Sequence, residues 1–189
     1  MNSDGFDVQF PRLAALLRYW NQKRRARPMP ARRDIDPIEI PSLLPIVVLA
    51  RVKGGEVRMR IMGEDAVDIY RRDVRDREVR DFEFGAFTKS WVGAFDLVIA
   101  SEAPAVAAGL LTLDARACRA ETVLMPLSDE AGALSHVFGG LVIRPIARDD
   151  PMPMPLSANY VLPLARGRDD NIETRMTRLI RARGRGRIG

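Results

Sequence analysis

Residues 46–62 read Ile46-Val47-Val48-Leu49-Ala50-Arg51-Val52-Lys53-Gly54-Gly55-Glu56-Val57-Arg58-Met59-Arg60-Ile61-Met62. Ile46 to Val52 is β-branched and apolar, the composition that suits a pleated, buried strand. Gly54-Gly55 supplies the positive φ angles of a tight hairpin turn. Glu56 to Met62 then sets Val57, Met59 and Ile61 against Arg58 and Arg60. That period of two predicts a second strand, antiparallel to the first, with one face in a core.

Downstream of the hairpin, Gly63 breaks the strand, and Glu64 to Arg80 reads as short helices carrying Ala66, Val67, Ile69, Tyr70, Val74 and Val79 among many charges. A longer helix is predicted over Phe84 to Ala100, because Phe87, Trp91, Phe95 and Val98 recur at helical spacing and form one apolar stripe. Three more strands follow: Ala105 to Leu113, Cys118 to Leu127 and Leu134 to Ile146. Polar turns at Asp114-Ala115-Arg116 and Ser128 to Gly132 separate them.

Upstream, Phe10 to Arg27 places Leu13, Leu16, Leu17 and Trp20 on one side of an amphipathic helix, with Pro11 in its first turn and Arg24, Arg25 and Arg27 near the C-terminal end of its dipole. Pro28 and Pro30 stop it, and Met29 to Arg33 connects onward. Asp36-Pro37 has the form of an N-cap and first helical residue for a turn through Leu44, whose apolar face is expected on the sheet. After Pro145, the prolines at 151, 153, 155 and 163 disfavour a regular ladder. A short helix over Asn171 to Ala182 and a disordered Arg/Gly end are expected there.

At 189 residues, 47% apolar and 29% charged, the chain fits one core with short extensions. Three segments result: 1–33, a flanking helix and connector; 34–147, the folded domain; and 148–189, a Pro/Arg/Gly-rich tail. Their formal charges are +6, −5 and +4, so the core is acidic and both ends are basic. A uniformly basic nucleic-acid surface is not indicated. Cys118 is the sole cysteine and His136 the sole histidine, which leaves no internal disulfide and no Cys/His zinc set. Met1 to Val8 has no apolar h-region, and Ile40 to Ala50 is too short and too rich in proline to span a bilayer. A reducing, cytoplasmic setting is the expectation.

Strand, strand, short helices, long helix and three antiparallel strands is the order of a PAS domain. The residues resemble the PAS-like proteins of alphaproteobacteria, in which a small PAS domain sits behind an N-terminal helix. The resemblance rests on Leu17-Arg18-Tyr19-Trp20, Arg27-Pro28-Met29-Pro30-Ala31-Arg32, Asp34-Ile35-Asp36-Pro37, Leu43-Leu44-Pro45, Arg58 to Gly63 and Tyr70-Arg71-Arg72-Asp73-Val74. These span about residues 13 to 80, and the strand order extends the likeness to about 147. Asp76 departs from it, since a glycine is expected there. The resemblance implies a five-stranded antiparallel sheet with helices on one face, and a sensory or docking role.

The space between sheet and long helix is the pocket expected, lined by Met59, Ile61, Tyr70, Trp91, Phe95, Leu124 and Phe138, with Tyr70, Trp91 and Thr122 as its polar groups. The same residue types build a solid core, and the sequence leaves both open. Phe6, Phe10, Leu13, Leu17 and Trp20 form the expected contact with a second copy, the alternative being that the helix folds back on its own sheet. Arg71-Arg72-Asp73 suits an anchor for a phosphate or carboxylate, or a charge run paired internally with Asp65, Asp68 or Asp76. Lys23-Arg24-Arg25-Ala26-Arg27 lacks the partner segment that a cyclic-dinucleotide site needs. The Arg/Gly tail suits RNA or an anionic membrane, though without aromatics for base stacking.

His136 reads as a structural histidine and Cys118 as an inert core residue. The resemblance would place a haem-binding histidine on the long helix, which has none, and a flavin-reactive thiol before that helix. No cofactor or metal is expected, and no Ser/His/Asp set or phosphate loop supports catalysis. The reading is a non-enzymatic regulatory module acting through protein partners, with a small ligand or a nucleic-acid or membrane role for the basic arms as alternatives.

Overall fold

The computed structural model describes residues 9–70, 74–113, 115–146 and 160–163. Helix α1 spans Gln9–Arg24. It ends where Arg25 takes φ +53, and Arg27 bonds its last carbonyls: Nη2 donates to Lys23 O at 2.9 Å and Nε to Arg24 O at 3.4 Å. Cations at a helix C-terminus satisfy orphan carbonyls and complement the dipole, so this basic string is used to finish the helix. Three short 3-10 turns lead to the sheet, and Asp36 caps the second by accepting from Ile38 N at 2.9 Å. Of the face expected on the sheet, Ile40 is buried, whereas Ile38 and Leu44 stay in solvent.

The hairpin forms as β1 (Val47–Lys53) and β2 (Glu56–Met62), followed by α2 (Glu64–Tyr70), α3 (Thr88–Ser101), β3 (Ala105–Leu113), β4 (Arg116–Ser128), β5 (Leu134–Pro145) and β6 (Tyr160–Pro163). All pairings are antiparallel, in the order β2-β1-β5-β4-β3-β6. The first five strands are the sheet expected. The sixth is an addition at the edge beside β3, in the proline-rich stretch where no ladder was expected. It is four residues long and ends on Pro163, and an edge is where a proline is tolerated in a sheet.

Both faces of the sheet are covered. On one lies α3, and its stripe Phe87, Trp91, Phe95 and Val98 is wholly buried against Ala105, Ala107, Ala120, Leu124, Leu141 and their neighbours. On the other lies α1, with Leu13, Leu16, Tyr19 and Trp20 packed on Val47, Leu49, Val123, Met125 and Phe138. Burying each large apolar side chain contributes about 1.5–3 kcal/mol, so α1 is part of the fold and not an appendage to it. It comes this close because β5 presents glycine: a Cβ on Gly140 would sit 2.6 Å from Leu16 Cδ1 and 2.9 Å from Leu13 Cδ2. Beside it, a Cβ on Gly139 would fall 1.9 Å from Val123 O.

The outer edge of β2 is occupied by the chain that follows α2. Asp76 N donates to Met59 O at 2.8 Å and Met59 N to Arg77 O at 2.9 Å. To make this turn Asp76 adopts φ +57, the left-handed region that favours glycine and that aspartate tolerates better than most. The glycine expected at this position has its physical reason here. No described helix is long and apolar enough to cross a membrane.

Candidate functional site

The face beneath α3 is filled by aromatic rings. Trp91 stands edge-on to Phe84 at 5.3 Å and to Phe95 at 5.0 Å between centroids, while Phe82 lies 6.1 Å from Trp91 and Phe84 lies 6.2 Å from Phe87. All five are fully buried. Phe82 and Phe84 come from the loop before α3, and the run Phe82-Glu83-Phe84-Gly85-Ala86-Phe87 was the signal that could have placed them here.

Of the pocket residues expected from sequence, Met59, Trp91, Phe95 and Leu124 do meet in this core, and Thr122 is buried on the same face. Thr122 Oγ1 donates to Gly140 O at 2.7 Å, so its hydroxyl is spent on the sheet. Trp91 Nε1 is buried and has no hydrogen-bond partner among the described residues. Tyr70 ends α2, and its side chain lies outside the described residues, as do Arg71-Arg72-Asp73.

Two residues are elsewhere. Phe138 packs on the opposite face, under α1, because side chains alternate along β5 and it shares a parity with Val142 rather than with Val137 and Leu141. Ile61 is 45% exposed. The register passes from Leu49↔Ile61 to Ala50↔Met59, which leaves Arg60 as an extra residue in β2. Such a bulge moves every following side chain to the other face, so Ile61 leaves the side that Met59 occupies.

The contact expected of α1 with a second copy is mostly taken up within the chain. Leu13 and Trp20 are 2% exposed under their own sheet and Leu17 is half-buried. Trp20 Nε1 donates to Pro126 O. Phe6, and the side chain of Phe10, lie outside the described residues.

Where α1 meets the connector, an open groove of about 1020 Å³ is lined by Tyr19, Lys23, Arg25, Arg27, Asp36 and Glu39 among others. Its charges are largely matched: Lys23 Nζ reaches Glu39 at 2.8 Å and Arg27 Nη2 reaches Asp34 at 2.6 Å. Burial pushes the Tyr19 phenol up to about 12, and Glu39 adds to the effect. Tyr19 Oη accepts from Asp36 N at 2.8 Å and donates to Asp36 O at 3.2 Å, which fastens the connector to α1.

A second charged area lies on the α1 face beyond that helix. Arg51 on β1 is directly opposite Arg58 on β2 and His136 on β5. The His136 ring is half-buried, with Nδ1 3.0 Å from Ser135 Oγ. Its pKa is lowered, first by burial and then by Arg32, Arg51 and Arg60. Cys118 is buried on the α3 face, and burial raises its thiol pKa. Among the described residues no group of His, Cys, Asp and Glu is placed to hold a metal ion.

The chain matches the PAS domain family over residues 8–142 and belongs to that family. The match takes in α1 as well as β1 to β4 and most of β5. Members serve in general as sensory and regulatory modules. Among solved structures the chain is similar to the PAS domain of BvgS from Bordetella pertussis, with 16% identity and a TM-score of 0.38, over 53% of this chain and 76% of that one. No curated protein matches.

Proposed function

We propose that this PAS domain is a non-enzymatic regulatory module that works by contact with protein partners, one of them a second copy of itself, in the reducing interior of the cell. The observation that supports the contact reading is the packing of Phe82, Phe84, Phe87, Trp91 and Phe95 against one another at the place where a ligand would sit. Signals then pass through surfaces and not through an occupied cavity. With Leu13 and Trp20 engaged by the sheet, self-association falls to Leu17 together with Phe6 and Phe10. A second reading, a small ligand carrying a hydrogen-bond acceptor, is favoured by Trp91 Nε1, which has no partner among the described residues, since a buried donor left unpaired costs about 1–3 kcal/mol.

Native mass spectrometry of the protein isolated from its own cells separates the two. The contact reading expects twice the chain mass with nothing added, and a monomer mass after Leu17→Asp. A retained small mass, lost in Trp91→Phe, would instead favour the ligand. A bare monomer at every concentration would remove self-association.

A further inference from the structure

The row Arg58, Arg51, His136 crosses three neighbouring strands in direct register on the face that α1 covers further along. Residues directly opposite in adjacent strands share a face, and like charges so placed are destabilising unless something answers them. Part of the row is answered from within. Arg58 Nε bonds Glu56 at 3.0 Å, its Nη1 bonds Asp76 O at 2.9 Å, and Arg60 pairs with Asp76.

Arg51 and Arg32 are not answered: among the described residues neither side chain makes an ion pair or a hydrogen bond. Arg32 is brought in by the connector, where Ala31 bridges Ser128 and Ser128 N donates to Pro30 O at 3.0 Å. Arg51 stands directly opposite His136 in the ladder, and the positive charge of Arg32 is felt at the same ring along with that of Arg51 and Arg60. Arg51 and His136 belong to the segment 34–147, whose net charge is −5 and which has carboxylates in excess. Two guanidinium forks without a carboxylate, around a half-buried imidazole able to take a proton, match an oxyanion bearing two negative charges.

We propose that Arg32, Arg51 and His136 form a binding site for a phosphate-class dianion, on the sheet face beyond the C-terminal end of α1. The guanidinium groups bond its oxygens, and the imidazole protonates as the anion arrives. The site is separate from the aromatic core and from the self-association surface.

His136 is the only histidine, so its ring resonances report the site without ambiguity. The test is an NMR titration of the full chain with inorganic pyrophosphate, against sodium chloride at matched ionic strength. Saturable movement of the His136 signals is expected, with the ring titrating at higher pH when the anion is bound, because a nearby negative charge favours the imidazolium. Arg51→Gln and Arg32→Gln should each weaken binding about tenfold or more, the loss of a charge-assisted bond. Arg51 is exposed, so its variant should keep the fold. Vesicles of phosphatidylcholine with phosphatidic acid form the second arm. A response there with the same dependence on Arg51 supports the same chemistry supplied by a lipid headgroup. No movement beyond the chloride control in either arm, or movement that persists in both variants, overturns the proposal.

Discussion

The indole Nε1 of Trp20 donates to the carbonyl of Pro126 at 2.8 Å, a buried bond between residues 106 positions apart. It fixes the C-terminal half of α1 to β4 and sets where the connector returns to the sheet. Trp20→Phe keeps the ring on the sheet but removes this buried bond. A loss of about 1–3 kcal/mol is expected, read as a lower urea midpoint with unchanged slope.

Gly140 lets α1 sit against backbone. In Gly140→Ala the new methyl meets Leu16 Cδ1 and Leu13 Cδ2, so the helix must lift or its leucines must change rotamer. A cost of about 1–3 kcal/mol is expected, with Trp20 emission shifting to the red as the helix loosens. Unchanged melting and emission would show that α1 does not rest on this glycine.

The bulge at Arg60 separates two residues that look equivalent in sequence. Met59→Ala should cost about 2–5 kcal/mol, because the side chain is fully buried. Ile61→Ala, on the other side of the bulge, should stay within about 0.5 kcal/mol. Equal losses in denaturant melts would mean that β2 runs without the extra residue.

His136 makes stability depend on pH. Its folded pKa is lowered by burial and by Arg32, Arg51 and Arg60, so the unfolded chain takes up the proton first. Its contribution is complete above the ordinary value of about 6.5 and declines as pH falls below it. Urea midpoints measured downward from neutrality should fall more steeply for the parent chain than for His136→Gln. The comparison with His136→Gln assigns the difference to the ring.

Cys118 should be silent in the folded protein, since it is buried and its thiol is held protonated. A disulfide reagent should label it only after denaturant is added, at the rate of unfolding. Rapid labelling of the native chain would place the thiol at the surface.

Much of this fold was readable because it is written in side-chain periods. The hairpin around Gly54-Gly55 and the stripe Phe87, Trp91, Phe95 and Val98 are of that kind, and so is the Asp36 cap. What escaped depends on backbone events or on partners far along the chain. The bulge at Arg60 has no side-chain signature, and it displaced Ile61 from the expected pocket. The amphipathic pattern of α1 says that one side must be covered but not by what; the Gly139-Gly140 pair in a strand was the clue that a helix comes close there. Asp76 illustrates the reverse case, where the resemblance asked for glycine and the backbone supplies the reason. The cluster around His136 needed the register of three strands, which no local spacing carries.

Main chain also lies along both margins of the sheet. The segment at Asp76 and Arg77 bonds Met59, and Tyr160–Pro163 pairs with Ala105 to Ala108. To pair with β2 at Met59 or with β3 at these residues, an incoming β-strand, whether from a partner or from an aggregating neighbour, would first have to displace one of these segments. Strand addition directly to β2 at Met59 or to β3 at Ala105–Ala108 is therefore closed off, and beside β3 the margin that a newcomer meets is β6 itself.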